Sequence, residues 1–238
     1  RAGHEAKHAE NYRINSFHLG EGSPKQKFRA NMDAIYTLKT LENQHRDATP
    51  EEQETLANYV GWGGLADAFD AEKTAWAGEY KELKAALTEE EYAAARASTL
   101  NAHYTSPTVI RAIYEALDGM GFEKGNILEP SMGVGNFFGM LPDSMLGSRL
   151  YGVELDSITG RIAQKLYPQA EIKVAGFETT DRRDFYDLAV GNVPFGNYRV
   201  SDKPYDKLGF SIHNYFFAKA LDQVRPGGIV AFVTSRYT

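Results

Sequence analysis

Three short stretches of this 238-residue chain carry side chains that can do chemistry together. In the first, Glu129 and Pro130 end an apolar run, and Gly133 and Gly135 let the backbone turn tightly against a ligand before a helix opens at Asn136. In the second, Glu154 ends the next apolar run about 20 residues on, where a carboxylate grips a ribose diol. In the third, Asn192, Val193, Pro194 and Phe195 place an amide, a rigid turn and an aromatic ring side by side.

A Gly-x-Gly pair alone also fits an ordinary strand-to-helix turn, and a dinucleotide site would want a glycine where Phe138 stands. The acid before the loop decides between ligands. It would repel a pyrophosphate but suits an ammonium or a hydroxyl, so S-adenosylmethionine is preferred over a nicotinamide dinucleotide. The third stretch suits an adenine amine, whose lone pair is delocalised into the ring. The Asn192 side-chain oxygen and the Val193 carbonyl can hold its two hydrogens, and Phe195 can stack on a base turned out of its helix. No general base is obligatory.

Alternating strands and helices must position these groups. Strands are expected at 126–129, 150–155, 171–175, 186–192 and 228–235, with helices opening at Asn136 and covering 157–167 and 211–224. Such alternation predicts a doubly wound parallel sheet, in which Glu129, Glu154 and Asn192 fall at the carboxyl ends of strands, where ligands bind. Ser106 caps a preceding helix with a stripe of Val109, Ile110, Ile113 and Leu117. The N-terminal region is all-helical. Phe28, Met32, Ile35, Leu38 and Leu41 make one stripe over 25–43; Thr49 and Glu52 cap a helix ending at Gly61; Thr88 and Glu91 cap within a helical region over 76–97. Trp62, among Gly61, Gly63 and Gly64, is read as an indole plugging an apolar gap, with a nucleic-acid contact as the sharper alternative. The expected organisation is a loosely held polar arm over 1–23, a helical region over 24–101 and a cofactor-binding domain over 102–238.

Composition sets limits. The chain has no cysteine, which excludes disulfides and thiolate zinc sites. It has no apolar run of membrane-spanning length and no signal peptide, so a soluble, cytoplasmic protein without membrane contact is expected. The net charge of −6 argues against tight binding of nucleic acid by this piece alone, and Lys25, Lys27 and Arg29 are read as a solvated face. His4, Glu5 and His8 match His-Glu-x-x-His, but their polar flanks and the lack of a third ligand at the proper spacing argue against a metal; none is expected.

Glu129-Pro130 with Gly133 and Gly135, Glu154, and Asn192-Val193-Pro194-Phe195 resemble the cofactor loop, acidic ribose contact and Asn-Pro-Pro-Phe/Tyr element of N6-adenine DNA methyltransferases. His103-Tyr104-Thr105-Ser106-Pro107 resembles the segment preceding the cofactor loop in one group of them. Lys27 to Leu65 further resembles the start of very large proteins of conjugative elements and some phages, in which an N6-adenine methylase-like domain precedes an SNF2-type helicase. The resemblance implies a class I S-adenosylmethionine-dependent methyltransferase fold, Rossmann-like and truncated after the fifth strand, with an edge hairpin and target-recognition region lying outside this sequence. It implies Asn192, Val193, Pro194 and Phe195 as catalytic residues. Tyr104, Thr105, Glu129, Pro130, Met132, Gly133, Gly135, Glu154 and Phe177 would be cofactor contacts, and DNA and the helicase region of the same polypeptide would be partners. A non-catalytic methylase-fold DNA-binding or docking module of a helicase or antirestriction protein is the alternative. Two departures stand out: Val193 replaces a proline and brings an N–H needing a partner, and Gly176 replaces an aspartate that would bind the cofactor's adenine. The second predicts weaker cofactor binding, by about 0.5–1.5 kcal/mol.

Overall fold

A computed structural model describes residues 9–16, 20–100 and 105–235. His4, Glu5, His8 and Tyr104 lie outside the described residues.

Local capping sets the helical region. In α1 (Pro24–Asn43) the Gln26 N–H donates to Ser23 Oγ and the Ser23 N–H donates to Gln26 Oε1, with Pro24 at the first position. Its expected stripe is buried, and so is Asn31. Asn31 Nδ2 donates to the Gly61 carbonyl at 2.6 Å, and the Val60 N–H donates to Asn31 Oδ1 at 2.9 Å. These bonds draw 60–61 out of helical geometry, so α2 (Pro50–Ala57) ends before the expected Gly61. The expected continuous region over 76–97 is two helices, α3 (Ala77–Ala86) and α4 (Glu89–Ala97), because the Thr88–Glu91 capping box starts a new helix after an extended Leu87. Trp62 is 3% exposed and meets Phe28, Tyr59 and Phe69 edge-on at 6.1, 6.3 and 5.4 Å. It plugs the core, which removes the nucleic-acid contact. Lys25 and Arg29 pair with Glu79 and Glu82, as a solvated face would.

α5 (Pro107–Gly119) is capped by Ser106, yet its buried face is Ile110, Tyr114 and Leu117. Val109, expected in the stripe, is 41% exposed, because the buried face turns toward Tyr114, whose hydroxyl donates to the Phe137 carbonyl at 2.6 Å.

Five parallel strands, β1 (Asn126–Glu129), β2 (Arg149–Glu154), β3 (Glu171–Val174), β4 (Tyr186–Asn192) and β5 (Val224–Val233), lie in the order β3-β2-β1-β4-β5. This is the doubly wound, Rossmann-like sheet. The short α6 (Asn136–Gly139), α7 (Ser157–Leu166) and α8 (Ile212–Gln223) connect strands, while a single 3-10 turn, Phe177–Thr179, stands between β3 and β4. β5 starts four residues earlier than 228: Tyr186 pairs with Val224 and Leu188 with Ile229, so 225–228 bulge at Pro226 and the positive-φ Gly227.

Strand alternation divides the core. Ile127, Leu188 and Val190 face α5, α7 and the N-terminal helices; Leu128 and Ala189 face α8. The N-terminal helices share one cluster with the sheet and pack outside α7. There Arg161 forks onto Glu42 with two bonds of 2.6 Å and reaches Glu91 at 3.0 Å, while Lys39 reaches Glu91 at 3.1 Å. Burial opposes ionisation of Glu91, but the Thr88 N–H and these two cations outweigh it and hold the carboxyl at about 2.

The described part of the arm is not loose. The Tyr12 N–H donates to the Leu166 carbonyl at 2.8 Å, the Ile14 N–H to Gly139 at 3.0 Å, and buried Gln53 donates to the Glu10 carbonyl at 2.9 Å. Backbone pairing with α6 and α7 fixes 9–16 despite its polar composition. Among the described residues no helix is long and apolar enough to cross a membrane.

Candidate active site

The carboxyl edge of the sheet collects the predicted residues. Glu129 ends β1, Glu154 ends β2 and Asn192 ends β4; register places Glu129 beside Gly152 and Asn192 beside Val233. The loop after β1 is tied to β2 by two bonds, from the Met132 N–H to the Val153 carbonyl at 3.0 Å and from the Gly133 N–H to Glu154 Oε2 at 2.8 Å. Glu154 Oε1 accepts from the Asp156 N–H at 3.1 Å. Thus Glu154 already shapes the loop with the carboxylate expected to hold a ribose.

The two glycines of the loop do different work. Gly133, at φ +57°, borders open space where a side chain would stand. Gly135, at φ +85°, instead gives its space to the Tyr167 ring and the Met132 methyl group. The Met132 side chain runs inward against Gly152, its N–H and carbonyl are bonded to Val153 and Gly135, and Pro130 is buried.

Glu129 is 2% exposed, and its Oε2 has no hydrogen-bond partner. Burial pushes its carboxyl well above the usual range, and the neighbouring Glu154 adds to the rise. The Glu154 carboxyl is also raised by burial, against the pull of the Asp156 and Gly133 N–H groups. Gly191, at φ +150°, lets β4 pass close to Glu129: a Cβ there would stand 3.1 Å from Glu129 Cγ. The next residue, Asn192, holds its Oδ1 buried without a partner. The extra N–H of Val193 is satisfied, donating to the Val233 carbonyl at 3.1 Å. Val193 is buried; Pro194 and Phe195 are half-buried at the start of the following loop. Thr105 is half-buried just before α5.

Phe177 is 2% exposed, its ring against Phe216 at 4.9 Å and Tyr215 at 6.2 Å. Its face is committed to α8. Beside it, the Glu178 carboxylate folds back into the volume that a side chain at Gly176 would fill. A cavity of about 350 Å³ between Arg13, Phe138, Arg149 and Glu171 lies at the opposite, amino end of the strands, away from these groups.

Oxygen acceptors at the ends of β1, β2 and β4 can receive an ammonium, a diol and an amine. No protein-family model matches the chain. Over 220 residues, 90% of the chain, it is 28% identical to the Defense against restriction protein B of Escherichia phage P1, of which it spans 8%. Over 92 residues, 39% of the chain, it is 34% identical to the Type II methyltransferase M.CvrRI of Paramecium bursaria Chlorella virus XZ-6E, of which it spans 24%. Among solved structures, a Listeria monocytogenes protein described as a class I S-adenosylmethionine-dependent methyltransferase superposes with a TM-score of 0.47 at 13% identity, over 87% of this chain and 73% of that one. The parallel β3-β2-β1-β4-β5 sheet with its site at the carboxyl edge has the Rossmann-like fold of the class I methyltransferases.

Proposed function

We propose that the chain is the cofactor-binding and catalytic domain of an S-adenosylmethionine-dependent DNA adenine-N6 methyltransferase, within a larger mobile-element protein that also carries a helicase region. The observation that carries this reading is a pair of buried oxygens without partners, Glu129 Oε2 and Asn192 Oδ1, at the ends of adjacent strands. A buried acceptor left unpaired costs about 1–3 kcal/mol, so each calls for a donor. A cationic group beside Glu129 would bring its carboxyl back to the charged form. The exocyclic amine of adenine supplies the N–H groups that Asn192 Oδ1 and the Val193 carbonyl accept.

The residues also fit the cofactor by shape. Gly133 leaves room for close backbone approach, and Glu154 presents a fixed carboxylate for a diol. When bound, S-adenosylmethionine supplies an electrophilic methyl group. Asn192 and Val193 hold the amine so that its nitrogen lone pair is localised, and Phe195 covers the base. The amine's surplus proton leaves to solvent. With a net charge of −6, DNA is gripped locally here or by other parts of the protein.

The phage relative concerned with restriction favours a second reading, a methylase fold kept as a docking platform. Calorimetric titration with S-adenosylmethionine, followed by methylation assays on adenine-containing DNA, separates the two. Binding abolished by Glu154→Ala, and methylation but not binding lost in Asn192→Ala, supports the enzyme. Undiminished methylation in Asn192→Ala overturns the role given to Asn192; a folded chain that binds no cofactor leaves the platform.

A further inference from the structure

We infer that Tyr59, from the helical region, is a positioning residue of the cofactor site, setting the Glu154 carboxylate through Thr159 and Asp156. The inference rests on the cofactor reading above, in which Glu154 receives the ribose diol. Its first support is a continuous polar chain. Thr159 Oγ1 donates to Asp156 Oδ2 at 2.7 Å and the Thr159 N–H donates to the same oxygen at 2.9 Å, so Asp156 caps α7. The Asp156 N–H donates in turn to Glu154 Oε1 at 3.1 Å, while the Gly133 N–H holds Oε2 at 2.8 Å. At the other end the Tyr59 hydroxyl is hydrogen-bonded with Thr159. The one proton of Thr159 Oγ1 goes to Asp156, so in that bond Tyr59 is the donor.

The second support is placement. Tyr59 is 4% exposed, its N–H donates to the Leu56 carbonyl at 3.1 Å, and its ring meets Trp62 edge-on at 6.3 Å. Asn31 fixes the two residues that follow. The helical region is tied to α7 at two further points, by Gln53 to the Leu166 carbonyl at its end and by Glu42 to Arg161 in its middle. Tyr59 supplies the tie at the first turn, which borders Glu154. Between Glu154 and Ile158 no apolar side chain is buried, and Leu155 is 74% exposed, so polar bonds alone hold this turn in place. Both Glu154 oxygens already accept a backbone N–H, and the directions left open to a diol are as fixed as the turn that supplies one of them. Burial first, and the Asp156 and Glu154 carboxylates after it, push the Tyr59 phenol up, which keeps it a neutral donor.

The test compares S-adenosylhomocysteine with its 2′-deoxy counterpart, which lacks one hydroxyl of the diol, by calorimetry. The wild-type chain is expected to prefer the complete diol by roughly tenfold, the value of a hydrogen bond to a charged group. Tyr59→Phe removes one oxygen and keeps the ring. It should cut that preference by about threefold, by weakening the complete ligand while leaving the deoxy ligand nearly unchanged. Thr159→Val breaks the same chain, so adding Tyr59→Phe to it should change the preference no further. Phe28→Leu loosens the same apolar cluster without touching the chain, and should lower the melting temperature at an unchanged preference. A preference unchanged in Tyr59→Phe, an additive double variant, or an equal shift in Phe28→Leu overturns the inference while leaving the cofactor reading intact. Failure of the wild-type chain to bind either ligand overturns both.

Discussion

The Val193 N–H donates to the Val233 carbonyl at 3.1 Å, so the N–H that a proline would lack joins the last rungs of β4 and β5. Val193→Pro would keep the carbonyl proposed to face the amine but strip Val233 of its donor. A loss of about 1 kcal/mol is expected, read from urea denaturation as a lower midpoint at unchanged slope. A more stable variant would show that the bond contributes nothing.

Glu129 makes stability depend on pH. Its carboxyl is raised above 4.5 in the folded state, by burial first and by Glu154 second. The folded chain thus holds this proton more tightly than the unfolded chain. The contribution is fully present below the unfolded value and is lost as pH rises through the folded one. Glu129→Gln, neutral throughout, should melt progressively higher than wild type in the absence of ligand as pH goes from about 5 to about 8, while binding S-adenosylmethionine more weakly. Melting curves that keep the same offset across that range would contradict the assignment.

Trp62 fills the junction between α1 and the Gly61–Gly64 loop. Trp62→Ala should cost about 3–5 kcal/mol, measured by chemical denaturation, without changing DNA affinity per folded molecule. A cost below about 1 kcal/mol would mean that the three edge-on ring contacts are not what holds the loop.

Local signals made much of the architecture legible. The Thr49–Glu52 and Thr88–Glu91 boxes are written within four residues, and short apolar runs over 126–129 and 186–192 mark strands whose bounds match the structure. Glu129, Glu154 and Asn192 could be placed on one edge because a parallel sheet puts strand ends together. What escaped depends on meetings between distant segments. Asn31 reads as one polar residue in a helical stripe until Val60 and Gly61 arrive to bond it. Gly135 looks like a ligand-facing glycine until the Tyr167 ring is seen beneath it.

The pairing of residues 9–16 with α6 and α7 also sets an order of assembly. On the ribosome this segment emerges before its backbone partners: the Ile14 N–H has none until Gly139 is made, and the Tyr12 N–H none until Leu166. Over that interval α2 alone can hold it, through Gln53 and Glu54, and its full seating marks the moment when α1 to α7 and the first two strands have been made.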